Sequence, residues 1–366
     1  MSYRPSHVRQ SCLQKVSPLV HVESLTVPSL FGRPAYHCQQ LASFVDEASR
    51  LRAFVPPFQF TSFFSPEDTL LCMCAAETAL AYARKPGNNG RLSRDALRVA
   101  ELTTGSGLVG IHLLRIEHGS TLLAFDVDQV AVDTARSNAR TLGLKSRSRF
   151  DCVDLWSDST ATTLAAYKPH LIVCNPPYVP EPENGKLEPE AGAGEDGTAH
   201  LMRTIELADQ VRPRAMALSW CSLSDPGRIV REAEAAGYFL NSLFVVAIAD
   251  GEYSRSVQRH LHGLPHAYIN ESEDVRRAVA PDGSACFGYL LISGEFSRFG
   301  GRVWRTSGSS AAVERICREF AAKGIDALVN PVAPVPVRTW ILDRWDEMRL
   351  RASLYGEIES VAAFTA

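Results

Sequence analysis

The hydrophobic pattern from Leu97 onward most constrains this chain. Apolar runs at Leu97–Leu102, Thr121–Phe125, Arg149–Val153, His170–Cys174 and Ala215–Trp220 read as strands. Helical spacing falls between them, over 104–113, 129–142 and 198–210, and again over 227–236. Strands this short and this apolar must be covered on both faces, and helices that alternate with them provide the cover. The alternation predicts an α/β fold with a doubly wound, mostly parallel sheet, completed by strands at Phe239–Ile248 and Cys286–Ile292. With 366 residues the chain exceeds one minimal domain. We expect an N-terminal extension over 1–60, a core domain over 61–295 and a C-terminal accessory region over 296–366.

Local signals fill in the rest. Spacing at Leu41, Phe44, Val45 and Leu51 predicts a helix over 39–53, and the aromatic stretch 54–64 an ordered loop. Ser65 is placed to cap a helix reaching Arg84, with Pro66 in its first position and Glu67 and Asp68 at the positive end of its dipole. Pro86–Gly90 breaks the chain. Residues 249–283 read as a partly helical insertion, and 311–322 as a helix. Pro331, Pro334 and Pro336 mark a loop before a final helix expected to begin near Thr339.

Composition excludes several classes. A formal net charge of −3 forces no nucleic-acid partner and excludes none locally. Nine cysteines, with no CxxC pair, argue against a disulfide framework or a zinc site and fit a reducing cytoplasm. No apolar run is long enough to span a membrane, and Met1–Pro5 lacks a secretory apolar region. His260, His262 and His266 read as a solvated loop. The basic residues Arg298, Arg302 and Arg305, beside Phe299 and Trp304, read as a solvated face.

The turn Gly105-Ser106-Gly107-Leu108-Val109-Gly110 follows a strand and opens a helix. Such a turn lets backbone approach a ligand closely, and an acid ending the next strand, here Asp126, can hold two ribose hydroxyls. A nicotinamide cofactor and S-adenosylmethionine share these needs. Glu101, near the end of the first strand, favours the second: it suits a methionyl ammonium and would repel a pyrophosphate. Asp154, ending the third strand, is placed to accept from an adenine amine.

The fourth strand runs into Asn175-Pro176-Pro177-Tyr178, which has no role in a dehydrogenase. Two prolines fix φ and remove donors, so the preceding carbonyls are held in one geometry. A planar amide or amine must lose conjugation before its nitrogen attacks. The Asn175 side-chain oxygen and the Pro176 carbonyl can accept its two N–H bonds, and Tyr178 can stack on its plane. Catalysis of this kind is mainly positioning, with hydrogen bonds that strengthen in the transition state.

From about Phe64 to Gly294 the sequence resembles the HemK/PrmC group of class I methyltransferases. The matching pieces are Ser65-Pro66-Glu67-Asp68-Thr69, Glu101-Leu102-Thr103-Thr104-Gly105-Ser106-Gly107, Phe125-Asp126-Val127-Asp128 and the Asn-Pro-Pro-Tyr tetrapeptide. Glu190–Gly197 resembles the glycine-rich stretch that follows the Pro-Pro loop in eukaryotic and archaeal members. The resemblance implies a Rossmann-like, seven-stranded sheet with an antiparallel last strand and S-adenosylmethionine as methyl donor. It extends the cofactor contacts to Glu67, Thr69, Thr103, Val127, Leu155 and Asn175, with Pro177 in the catalytic tetrapeptide. Thr103 stands where the family usually has the first glycine of the turn.

The implied substrate is a protein glutamine of the release-factor type. The alternatives are adenine N6 in RNA or DNA and, from another class, a non-catalytic scaffold that binds S-adenosylmethionine. The expected partner is therefore a protein substrate or RNA or DNA, not a membrane. The sequence is silent on oligomeric state.

Overall fold

The computed structural model describes residues 65–84, 96–183, 187–298 and 308–343. The helix expected over 39–53, the aromatic stretch 54–64, the Pro86–Gly90 break, and Phe299, Arg302, Trp304 and Arg305 lie outside them.

The chain opens with α1 (Pro66–Ala83) and β1 (Arg98–Leu102). It alternates through α2 (Leu108–Ile116), β2 (Thr121–Asp126), α3 (Gln129–Thr141), β3 (Ser148–Cys152), α4 (Asp158–Tyr167) and β4 (Leu171–Cys174). Next come α5 (Ala199–Val211), β5 (Ala215–Cys221), α6 (Pro226–Ala235) and β6 (Phe239–Ala249). The insertion folds as three short helices, α7 (Glu252–Ser256), α8 (Gln258–Leu261) and α9 (Glu273–Val279). After it come β7 (Gly288–Ser297), α10 (Ser309–Lys323) and β8 (Val337–Ile341).

All eight strands form one sheet in the order β3-β2-β1-β4-β5-β7-β6-β8. Neighbours are parallel except where β7 runs antiparallel between β5 and β6. Alternate residues of each strand feed two cores. Val99, Leu122, Leu171, Val173 and Ala217 pack with α1, α2 and α3 on one face. Ala100, Leu102, Leu123, Ile172, Leu218 and Trp220 pack with α5, α6 and α10 on the other. This is the doubly wound arrangement, and the two-residue period of a strand is what divides one sheet between two cores.

Three local expectations are corrected. The seven-stranded sheet has eight strands, because Thr339 does not begin a helix. Val337-Arg338-Thr339-Trp340-Ile341 is β8, parallel to β6, with Trp340 stacked on Phe244 at 6.4 Å between ring centroids. β-branched and aromatic residues suit a strand, and adding one covers the otherwise open edge of β6. Helix α2 begins at Leu108 rather than Thr104, since the glycine turn occupies the residues between. Ser65 stands at the N-cap of α1, but its hydroxyl donates to Glu67 Oε1 at 2.5 Å instead of accepting from a helix amide. Helix α4, which the sequence did not announce, starts at the Ser157 cap.

Candidate active site

Strands β1 and β4 are parallel neighbours, with Leu102 opposite Cys174. The chain leaves β1 towards β2 on one side and β4 towards β5 on the other. In such a sheet the crevice beyond the carboxyl ends of the two strands is where ligands bind. Thr103 and Asn175, the residues that follow β1 and β4, both open onto that point.

On the β1 side the backbone turns sharply. Thr103 has φ of 59°, a left-handed conformation that strains a β-branched residue. Its hydroxyl donates to the Leu102 carbonyl and lies 3.6 Å from Cys174 Sγ, so the strained turn touches the end of β4. Gly105, at φ 53°, faces open space: a Cβ there would meet nothing within 4 Å. Its N–H donates to Asp126 Oδ2 at 2.7 Å. Gly107 is required for a different reason, because a Cβ would lie 2.9 Å from Ala135 Cβ. One glycine leaves room for a ligand and the other lets α2 pack on α3 and β3.

Glu101 is 3% exposed. Its Oε2 accepts from Thr104 Oγ1 at 2.6 Å and from the Gly110 N–H at 3.1 Å, so this oxygen braces the turn from beneath. Burial pushes its pKa up to about 8, against the two hydrogen bonds, and Asp126 adds repulsion. Burial also raises Asp126, although the Asp128 and Gly105 amides oppose the shift. Val127 is 64% exposed at the end of β2, while Leu155 is buried beyond β3. Asp154 is exposed just beyond β3, with Oδ1 accepting from the Trp156 N–H at 2.9 Å. Two acids, an apolar pair and an open glycine thus share one side of the crevice.

On the β4 side, Asn175 Oδ1 is buried and has no hydrogen-bond partner among the described residues. Pro176 is buried beside it. The Tyr178 hydroxyl donates to Asp68 Oδ2 in the first turn of α1. Burial raises the Tyr178 pKa well above its usual 10, and Asp68 adds to the shift. The glycine-rich segment folds back on this loop. Val179 N–H donates to Ala191 O at 2.9 Å, and Ala193 N–H donates to Val179 O at 3.1 Å. The Glu181 carboxylate accepts from the Leu187 and Gly194 amides. Gly197, at φ 72°, comes so close that a Cβ would lie 2.5 Å from Tyr178 O.

The structure therefore gathers Thr103, Gly105, Gly107, Asp126, Val127, Asp154, Leu155 and the tetrapeptide at one end of the sheet. Glu101 lies under the turn. Glu67 and Thr69 sit at the N-terminus of α1 on either side of the Tyr178 partner, and the Thr69 hydroxyl is bonded to Ser65 O at 2.8 Å. Sequence reasoning missed Asp68 and His200. His200 Nδ1 is buried and has no hydrogen-bond partner among the described residues, and burial lowers the His200 pKa. Its ring meets Trp156 edge-on at 4.8 Å, and one helical turn later Thr204 Oγ1 lies 3.3 Å from Cys174 Sγ. Nothing in the sequence joins residues 156, 174 and 200; only the packing of α5 does. Among the described residues no group of three or more His, Cys, Asp or Glu is placed to hold a metal ion, and no helix is long and apolar enough to cross a membrane.

Residues 90–187 match the methyltransferase small domain family. A release factor glutamine methyltransferase of Chlorobaculum tepidum is 35% identical over 129 residues, covering 35% of this chain and 44% of that protein. One from Bacillus anthracis is 30% identical over 162 residues, covering 41% and 54%. A ribosomal protein uL3 glutamine methyltransferase of Xanthomonas campestris is 32% identical over 125 residues, covering 32% and 39%. The chain spans about half the length, or less, of these relatives. The matched segment contains the glycine turn, its acids and the Asn-Pro-Pro-Tyr loop, and over that segment the chain is similar to the release factor glutamine methyltransferases.

Proposed function

We propose that this protein is an S-adenosylmethionine-dependent N-methyltransferase that acts on a planar amide nitrogen, the side chain of a glutamine in a protein substrate. The buried, unpartnered Asn175 Oδ1 carries this reading. An acceptor held out of water without a donor costs free energy, and a substrate N–H offers it one. With the Pro176 carbonyl as second acceptor, the two N–H bonds of a primary amide are drawn to one side and the nitrogen lone pair is turned towards the cofactor.

The residues opposite fit that cofactor. The open face of Gly105 admits a methionyl chain, and Gly107 and Thr103 shape the turn. Asp126 offers its carboxylate to the ribose hydroxyls. Val127 and Leu155 sandwich the adenine, and Asp154 accepts from its amine. Glu101 and Glu67 supply negative charge for the methionyl ammonium and Thr69 a neutral hydroxyl, and the ammonium would favour the ionised form of Glu101 over the protonated one. S-adenosylmethionine supplies an electrophilic methyl group on a sulfonium. The protein's own part is to align the nitrogen, exclude water and let the proton leave once the new bond makes it acidic.

A glutamine is favoured over adenine in RNA or DNA by the charge around the tetrapeptide. Glu183, Glu188, Glu190 and Glu195 are all exposed on the segment that folds over it. A phosphate backbone entering across this rim would be repelled, whereas a neutral or basic peptide would not. The relatives' named substrates, a release factor and a ribosomal protein, agree with that preference.

The test begins with calorimetric titration of S-adenosylmethionine, with NADH as control. Labelled methyl transfer to a translation release factor, ribosomal proteins, RNA and DNA then follows. Asn175→Ala is expected to bind the cofactor within about 3-fold of wild type and to lose roughly 100-fold or more in turnover. Near-normal turnover by this variant would remove Asn175 from the mechanism. Transfer to nucleic acid alone would overturn the glutamine reading. Binding without transfer to any acceptor would leave a non-catalytic scaffold.

A further inference from the structure

The tetrapeptide tyrosine is not free at its hydroxyl end. Tyr178 donates to Asp68 Oδ2 across more than a hundred residues of sequence. Asp68 is buried in the first turn of α1, and the Tyr178 ring packs against the core that α1 shares with β5. The groups facing the phenol are Asp68 from α1, Cys221 from β5 and Tyr289 from β7. None of them is a cation. The ring is therefore held at its far edge by one carboxylate. On its backbone side it is held by the glycine-rich segment, where Gly197 approaches Tyr178 O.

We propose that Asp68 is a positioning residue for methyl transfer: by accepting from the Tyr178 hydroxyl it fixes the tyrosine ring, and with it the loop that presents Asn175 and Pro176 to the target nitrogen. This rests on the reading of the tetrapeptide as the amide-binding loop. With its proton committed to Asp68 the hydroxyl has none to donate to a substrate, so recognition by Tyr178 is through the ring face. Asp68 does not touch the substrate. It removes the rotamer freedom of a ring that would otherwise have to be ordered at each turnover. The fold supplies this restraint through α1, which makes the N-terminus of that helix part of the catalytic apparatus although it precedes the glycine turn.

The experiment compares wild type with Asp68→Asn, Asp68→Ala, Tyr178→Phe and the Asp68→Ala/Tyr178→Phe double variant. Cofactor affinity is measured by calorimetry, kcat and KM with a release factor and labelled S-adenosylmethionine, and the Tyr178 Cζ resonance with 13C-tyrosine, assigned by its absence in Tyr178→Phe. Asp68→Ala and Tyr178→Phe are each expected to lower kcat by about 10-fold to 100-fold, with the double variant no worse than either. Cofactor affinity should stay within about 3-fold of wild type, because the Asp68 carboxylate is engaged by the Tyr178 hydroxyl while its neighbours Glu67 and Thr69 keep the cofactor contacts proposed above. Asp68→Asn keeps an acceptor of the same shape and is expected to retain kcat within about 3-fold. The Tyr178 resonance should move in Asp68→Ala and stay near its place in Asp68→Asn. Additive losses, an equal kcat for Asp68→Ala and wild type, or an unmoved resonance would overturn the role of Asp68. If the wild type does not methylate the release factor, that substrate reading falls, and the resonance alone then decides on Asp68.

Discussion

At the scale of single residues, two side chains at the glycine turn hold unfavourable states. Thr103 adopts a conformation that glycine would adopt without strain. Relieving it recovers roughly 1–2 kcal/mol, and the extra freedom of glycine in the unfolded chain returns about half of that. Thr103→Gly is therefore expected to raise stability by up to about 1 kcal/mol in urea denaturation. A loss of stability would mean that the contact with Cys174 outweighs the backbone strain. Glu101 is buried where its charged form is unfavourable. Its pKa is about 8 folded against 4.5 as the reference value, so the folded state keeps a proton that the unfolded chain has released. Its contribution is fully present below the lower value and is lost as pH rises through 8. Glu101→Gln escapes that loss while its oxygen can still accept from Thr104 and Gly110. Its Tm is expected to exceed wild type by about 3 °C or more at pH 9, with the gap closing towards pH 5. The same variant should bind S-adenosylmethionine about 10-fold or more weakly. A Tm gap that does not change with pH would show that Glu101 does not titrate in this range.

At the scale of elements, the insertion between β6 and β7 has a clear structural task. Asp250, at the end of β6, accepts from the Cys286 amide at 2.9 Å and from Arg255 Nε at 2.5 Å, which closes the base of the insertion. Asn270 is buried and donates to the carbonyls of Phe320 and Ala321 in α10, while its Oδ1 accepts from Ser272. The insertion is thereby tied to the C-terminal helix, and Tyr253 reaches Glu190 of the glycine-rich segment at 2.7 Å. Asn270→Ala would remove one donor from each of two carbonyls, of which Phe320 O keeps the Gly324 N–H. It is expected to cost about 2–3 kcal/mol in denaturant unfolding with cofactor affinity unchanged. The sequence announced a partly helical insertion here, but not its partners. Asn270 and Phe320 are joined by tertiary contact alone, and neither hydrophobic period nor turn chemistry records such a pair.

At the scale of the whole molecule, the C-terminal part shares the core. Val313, Ile316, Cys317 and Phe320 of α10 are buried with Ile229 and Val230 of α6, and β8 extends the sheet. A chain ending after Ser297 would expose that face of α6 and the edge of β6. It is expected to lose cooperative thermal unfolding and to bind a hydrophobic dye. A sharp transition near that of the full chain would show that α10 and β8 are dispensable to the core.

The order of strands, the glycine turn, its acids and the tetrapeptide were all legible in the sequence, because each rests on local rules. Period distinguishes strand from helix, glycine marks the left-handed turn, and proline fixes the loop. Those rules also led Thr339 astray, since a short run of Val, Thr, Trp and Ile becomes a strand or part of a helix according to whether a sheet edge lies beside it. The tertiary structure alone decided that β8 pairs with β6, that Glu101 sits beneath the turn and that Asp68 holds the tetrapeptide tyrosine. The physical reason is the same in each case. A local pattern specifies what a segment is, whereas burial, a raised pKa or a hydrogen bond between distant residues depends on which segment the fold brings alongside.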